Sequence, residues 1–477
     1  MKISTEILNA VHPEIKEVEK AWERIETLLE ECESEYSDFI LKLPNETDAK
    51  LRDRKPWFVN GFFNPTQDLV TAPVQYILRR GVTRKTDSVQ LNKFISKADR
   101  SGQSLEEFIK NEAGPNLSSY GTVFAVVDKP STPVSNGLEQ LVFGMPYLTI
   151  LSPEQVKNWG WNSDGSLEWF RYTQAAPVSG GIFEKATGGG IEFVTWTRTE
   201  YIKHDSEGNE IYRIAHNWGI VPVAIQASFV ASGDTLGKST FFSSSRHIIM
   251  GNNHLSIAQT EIAKYGSILL IDEADAPNPR KNVRDENTNQ LKLVEQAQEA
   301  DTMKVADMKN RPQYLEKNLD LITKALEMAT WCFKQALEAE SSGKEVSPLT
   351  GNLGTDAPKS GVSKAYDWAD TDAMLYSRAM DLQAFEVQIC RIEQTIMKDT
   401  KPFTIQYPTS FDVMDFGEKI QQIKDLQSVN FPSIEAIKAS FKRLVPEITT
   451  SDELRKTIDV EIDGATIVTQ TTNTPGA

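Results

Sequence analysis

Between residues 13 and 41, Ile15, Val18, Ala21, Trp22, Ile25, Leu28 and Leu29 recur at helical spacing, which predicts one long amphipathic helix. Pro13 suits its first turn, and Glu14, Glu17 and Glu19 sit early, where the helix dipole favours anions. A second helix follows Asn64-Pro65 and runs through Leu69, Pro73, Tyr76 and Ile77 to Arg79 and Arg80, with Gly81 as its stop. A third spans 104–118, opened by a capping box from Ser104 to Glu107. At Tyr120 the pattern changes. Segments 122–128, 146–152, 167–173, 191–197, 200–205 and 211–217 read as strands. Turn signals at Asp164-Gly165, Gly180-Gly181, Gly188-Gly189-Gly190 and Glu207-Gly208 separate them. Successive hairpins predict an antiparallel β unit, not a βαβ repeat.

The helical period returns over 242–265. Residues 266–310 are mixed, with one buried-type strand at 268–271 and a charged, Pro/Asn-rich remainder. A strong amphipathic helix is predicted over 312–340, its apolar face marked by Leu315, Leu319, Ile322, Leu326, Ala329, Phe333 and Leu337. A polar Gly/Ser/Pro-rich stretch follows at 341–361, then a long helix over 369–398 and a strand over 401–408. Helices are expected at 416–429, 433–443 and near 451–457, ahead of a polar tail expected to be flexible in isolation. No internal repeat is visible. The fold class predicted is α+β.

The chain has 477 residues, enough for two to four structural units. Its 39% hydrophobic content and mean hydropathy of −0.39 are those of an ordinary soluble protein. No apolar run approaches the ~20 residues of a membrane span, and the N-terminus lacks the apolar core of a secretory signal. Cys32, Cys332 and Cys390 are widely spaced and odd in number, which points to a reducing compartment without structural zinc. A net charge of −16, from 67 acidic and 51 basic residues, argues against general affinity for DNA phosphates. It does not argue against a conduit, because a wall that repels the backbone lets a duplex slide.

Two segments imitate a nucleotide site. Gly233, Gly237, Lys238 and Ser239 lie between an apolar strand and a helix, as in a phosphate-binding loop. Segment 268–273 ends in Asp272 and Glu273, in the form of a strand whose Asp holds Mg²⁺ and whose Glu activates water. Three objections stand against this reading. Only Asp234, Thr235 and Leu236 separate the two glycines, one residue short, with Ser232 at the required glycine position. The interval from Lys238 to Asp272 is short for an intervening helix, strand and crossover. The upstream hairpins also lack βα alternation. The bland alternative, a glycine-containing connection and an apolar strand ending in a turn, is the preferred reading.

Other constellations are weaker. Among His12, His204, His216, His247 and His254 there is no HExxH, and the pair at 247 and 254 has no third ligand nearby. Ser243-Ser244-Ser245 beside His247 lacks the GxSxG elbow of a hydrolase. Trp159, Trp161, Trp169 and Trp196 cluster in the β region, where core and inter-subunit packing explains them better than base stacking.

Five blocks, taken in order, resemble tailed-bacteriophage portal proteins. They are an Arg-rich, aromatic lead-in at 52–76 with Asn-Pro-Thr at a helix start, and 99–130, a Ser-Leu helix leading through Tyr-Gly into a strand that ends in Asp-x-Pro. A wing-like hairpin at 147–172 follows, then a returning strand at 216–225 and a Ser-Gly lead-in to a long helix at 360–386. The resemblance spans about 50–410 and rests on order, not on any single motif.

The resemblance implies a ring-forming subunit, usually dodecameric, with no catalytic residue, cofactor or metal of its own. Mapped onto this chain it implies a wing from 1–235 and 363–412, stem helices within 236–265 and 311–340, and a clip at 266–310. A channel loop at 341–362 and a helical crown with a flexible tail at 413–477 complete the map. Lys344 and Lys359, the only basic residues of the loop, and Lys364 just after it are the candidate DNA-proximal groups; simple solvated lysines remain the other reading. Implied partners are copies of the chain, the large terminase subunit, major capsid and scaffold proteins, neck or adaptor proteins, and double-stranded DNA passing without sequence preference. No membrane is implied. The implied location is the portal vertex of a virion, after synthesis in the host bacterial cytoplasm. The rival readings are an ATPase using Lys238, Ser239, Asp272 and Glu273, or another capsid or neck component.

Overall fold

The computed structural model describes residues 2–31, 33–44, 46–130, 144–176, 190–265, 271–273, 280–284, 291–295, 303–305, 319–341, 361–409, 411, 438, 442 and 452–464. The fold is α+β, and the chain divides into two compact units, 1–409 and 410–477.

The first unit opens with α1 (Thr5–Leu8) and α2 (Pro13–Leu29). Ile15, Trp22, Ile25 and Leu28 bury one face of α2, and the Trp22 indole donates to the Tyr120 carbonyl at 3.3 Å. The helix stops at Leu29, short of the expected 41. Glu26, Glu30 and Glu31 crowd its C-terminal end, where the dipole disfavours anions, and Glu31 takes a left-handed φ of 51°. Three further helices follow: α3 (Glu33–Tyr36), α4 (Asp48–Asn60) and α5 (Thr66–Arg79). Gly81 then takes the left-handed turn expected of a helix stop, with φ 83°. β1 (Thr83–Thr86) and α6 (Val89–Ser96) lead to α7 (Leu105–Phe108), whose Ser104–Glu107 capping box forms as expected. One π turn at Ile109–Ala113 joins α7 to α8 (Gly114–Tyr120).

Gly121 turns the chain from α8 into β2 (Thr122–Asp128), the centre of a three-stranded antiparallel sheet. Its neighbours are β3 (Tyr147–Leu151) and β9 (Val223–Ala227). Between them runs a five-stranded antiparallel meander: β4 (Val156–Trp161), β5 (Leu167–Ala175), β6 (Ile191–Thr197), β7 (Glu200–His204) and β8 (Glu210–Ala215). One face of the meander carries Val156, Trp159, Phe170, Tyr172, Val194 and Trp196 into a core shared with α2, β2 and β9. The opposite face buries Phe193, Ile202 and His204. There the N-terminal segment is tied down by Arg171 Nη1 donating to the Ile7 carbonyl at 2.6 Å and Ile3 N to Gly208 O at 2.9 Å.

Two long helices follow, α9 (Phe241–Tyr265) and α10 (Leu319–Ser341). Between them lie the parallel pair β10 (Ile271–Glu273) and β13 (Met303–Val305), and the antiparallel pair β11 (Arg280–Arg284) and β12 (Leu291–Glu295). The expected strand at 268–271 has only its last residue among those described. The helix expected from 312 is described from Leu319, and that expected from 369 begins at Gly361 as α11 (Gly361–Met397). β14 (Phe403–Gln406) returns to pair antiparallel with β1. Under that pair, Arg84 grips the wholly buried Glu386 of α11 through Nε at 2.6 Å and Nη2 at 3.2 Å, and Tyr407 donates to the same carboxylate at 2.8 Å.

The second unit contributes α12 (Asp452–Gly464), with Lys442 paired to Asp463 at 2.7 Å. The helices expected at 416–429 and 433–443 lie outside the described residues, apart from Lys438 and Lys442, which are helical. No described helix is long and apolar enough to cross a membrane.

Candidate functional site

Helices α9 and α10 pack antiparallel. His247 meets Trp331 edge-on at 6.0 Å, and Ala258 packs with Ile322 and Ala325. On α10 the buried positions are Ile322, Ala325, Ala329, Cys332 and Ala336, a single narrow stripe of mostly small side chains. Gly251 answers it on α9. A Cβ there would lie 2.7–3.0 Å from the Phe333 ring, so glycine permits the close approach.

Polar residues fasten α9 to the N-terminal helices. Asn252 accepts from Phe63 N at 2.7 Å and donates to Phe63 O at 2.9 Å. Asn253 does the same for Leu41 N at 2.8 Å and Phe39 O at 3.0 Å. Buried Arg54, held by Glu46 through two 2.8 Å bonds, donates to Ser256 Oγ at 3.0 Å. Ser244 and Ser245 are buried, and Arg24 donates to Ser245 Oγ at 3.0 Å, so this serine run serves packing.

The outward flanks of this hairpin are apolar. Trp331 is 50% exposed, Leu321 54% and Met328 44%, and Met250 and Ile262 on α9 are also exposed. At ~100° per residue, Leu321, Met328 and Trp331 fall on one flank of the buried stripe and Leu326 on the other. Sequence reasoning found the apolar helix. Leu326, which it placed on the apolar face, is exposed, because it lies to one side of the stripe that Ile322, Ala325, Ala329, Cys332 and Ala336 bury.

The apparent phosphate loop is occupied by protein. The Thr235 and Leu236 amides both donate to Glu14 Oε2 at 2.8 Å, Gly237 N donates to Thr122 Oγ1 at 2.8 Å, and Lys238 N to Ser228 O at 3.1 Å. The amides that would cradle a phosphate thus hold a carboxylate and the sheet. Gly237 is required by closeness, since a Cβ there would lie 2.1 Å from Ser228 O. Ser239 caps α9 by accepting from Phe241 N at 2.9 Å, and the Lys238 side chain is exposed. Asp272 and Glu273 sit on β10, whose partner is β13, and among the described residues no parallel sheet joins them to Lys238. Lys238→Ala is therefore expected to leave the fold intact, and neither wild type nor variant binds ATP saturably in titration calorimetry.

Lys344 and Lys359 lie outside the described residues. Lys364, expected just after the loop, falls in the first turns of α11. Among the described residues no His, Cys, Asp or Glu cluster could hold a metal ion.

No family model and no curated protein matches this sequence. Among solved structures, the chain is similar to one from the virion of a native gene transfer agent particle, at 12% identity and a TM-score of 0.39, over 80% of this chain and 91% of that one. It is also similar to a chain from the neck of the native particle computed with C12 symmetry, at 12% identity and TM-score 0.37, over 83% and 93% of the two chains.

Proposed function

We propose that this chain is a portal subunit of a tailed phage, closing with its copies into a ring at one capsid vertex through which double-stranded DNA is packaged and ejected. The observation that carries this reading is the α9–α10 hairpin. It is anchored to the body along one side and left apolar on its outward flanks, which suits a helix pair placed between like neighbours in a closed ring. The five sequence blocks that resemble the family support it in their order.

On this reading the hairpin is the stem, the strands at 271–305 belong to the clip, and 1–235 with 363–412 form the wing. Residues 341–362 are the channel loop, where Lys344 and Lys359 stand near DNA, and 413–477 form the crown. The chain's net charge of −16 keeps the duplex from sticking while it moves. The subunit catalyses nothing. It docks the large terminase subunit, whose ATPase drives packaging, and later neck or adaptor proteins.

Trp331→Glu combined with Met328→Glu tests the reading. Both side chains are exposed, so the variant keeps wild-type secondary structure by circular dichroism but loses rings in size-exclusion chromatography with light scattering. Rings of unchanged mass would remove the hairpin flank from the interface.

A further inference from the structure

The inner face of the meander continues past the core. Beyond Trp196 and Tyr201 it presents Tyr212 and Ile214 of β8, and with His216 and Trp218 these line a groove of about 780 Å³. The aromatic wall is continuous: Trp196 stacks on Trp218 at 5.7 Å, and His216 lies 4.4 Å from Trp218. Across the groove stand Arg100, Asp128, Lys129 and Tyr147 at the end of β2 and β3. Lys203 is paired with Glu192 at 3.1 Å, whereas Lys129 has no salt bridge among the described residues.

Among the described residues β8 is an open edge. His216 N bonds to Thr199 O, so residues 214 and 212 turn their backbone groups to β7, while 211, 213 and 215 turn theirs outward. The other edge of this sheet and both edges of the three-stranded sheet are covered in part. His12 N donates to Lys157 O of β4, Leu148 N of β3 to Ala98 O, and Ile225 N of β9 to Gln388 Oε1. No described residue does this for β8, where Ile211 is 52% exposed.

At the opposite end of β2 the chain presents a knob. Phe229 is 61% exposed and held at φ 53°, a left-handed conformation that costs a bulky residue energy. Its neighbour Ser228 fixes it there, donating N–H to Gly121 O at 2.9 Å, accepting from Lys238 N at 3.1 Å and bonding Asp381 through Oγ at 2.6 Å. Val230 is exposed beside it, and exposed Asp234 follows. The knob adjoins Thr122 and the groove adjoins Asp128, six residue steps or roughly 20 Å apart along β2. One chain cannot fill its own groove with this anchored turn.

We propose that the groove beside β8 receives the Phe229–Val230 turn of a second copy of the chain, with Asp234 of that copy near Lys129. A knob and a groove on different surfaces of one chain make a head-to-tail contact, the kind that closes rings; the proposal rests on the ring reading above. The β8 edge accepts the incoming backbone while the aromatic wall takes the phenyl ring.

The test places Val230→Cys and Ile214→Cys together in full-length protein that also carries Cys32→Ser, then oxidises it with copper phenanthroline. The expected result is a ladder of disulfide-linked multimers on a non-reducing gel, absent from either single-cysteine variant. Rings in the electron microscope without a ladder would overturn this contact and leave the ring reading standing. Neither rings nor ladder would overturn both.

Discussion

Replacing Arg84 by alanine is expected to lower stability by roughly 3–5 kcal/mol, the usual consequence of stranding a buried charge. Glu386 is fully buried, and its carboxylate is matched by the Arg84 fork at 2.6 and 3.2 Å and by the Tyr407 hydroxyl at 2.8 Å. Burial works against the guanidinium charge, but the bonds to Glu386 outweigh it and hold Arg84 firmly protonated. Without Arg84, one hydroxyl is left to satisfy an ionised carboxylate deep beside α11. The loss reaches the β1–β14 pair that this cluster underlies, 83–86 against 403–406. Urea unfolding reads the effect as a lower midpoint. Arg84→Lys keeps the charge but loses the fork, and falls between the two. The triple replacement Arg84→Met, Glu386→Leu, Tyr407→Phe is expected to recover most of the loss. If Arg84→Ala unfolds at the wild-type midpoint, Glu386 is not held as described.

A second large effect depends on pH. Glu393 on α11 is fully buried, and neither carboxylate oxygen has a hydrogen-bond partner among the described residues. Burial first, then the charge of Asp399, push its carboxyl up to about 7, with Lys129 pulling the other way. In the unfolded chain the group ionises at its ordinary value of 4.5. Between those values the native state holds a proton that the unfolded state has released, so stability falls as pH rises through the window. Below it both states are protonated, and above it both are ionised and the penalty is complete. The shift corresponds to roughly 3.5 kcal/mol at about 1.4 kcal/mol per pH unit. Glu393→Gln removes the titration, so its stability relative to wild type is expected to climb by that amount between pH 4.5 and 7. Parallel pH profiles of the two proteins would contradict this.

Local pattern and long-range consequence separate clearly in this chain. The meander was legible because β-branched and aromatic residues alternate between Gly-bearing turns, and the Ser104–Glu107 capping box announced its helix. The pairing of β1 with β14 was not, since strand chemistry does not name a partner more than 300 residues away. The burial of Glu386 and Glu393 was not legible either, because periodicity cannot show what packs against a helix whose apolar residues are spread around it. The glycine-lysine-serine run at 237–239 misleads for a related reason: its glycine answers a backbone contact with Ser228, supplied by a strand turn that only folding brings near. The hairpin was legible as two helices. Which of its apolar residues stay exposed was not, because an apolar helix position looks the same whether its partner is its own chain or a neighbour. The tryptophan cluster signalled the groove region, with inter-subunit packing among its readings, yet the register that leaves Tyr212 and Ile214 beyond the core emerges only in the sheet.

Electron microscopy of the purified full-length protein at high concentration tests the central claim most directly. The ring account predicts class averages of closed rings, roughly a dozen subunits around an open pore wide enough for a DNA duplex, without ATP turnover. Hexameric rings that hydrolyse ATP would contradict it.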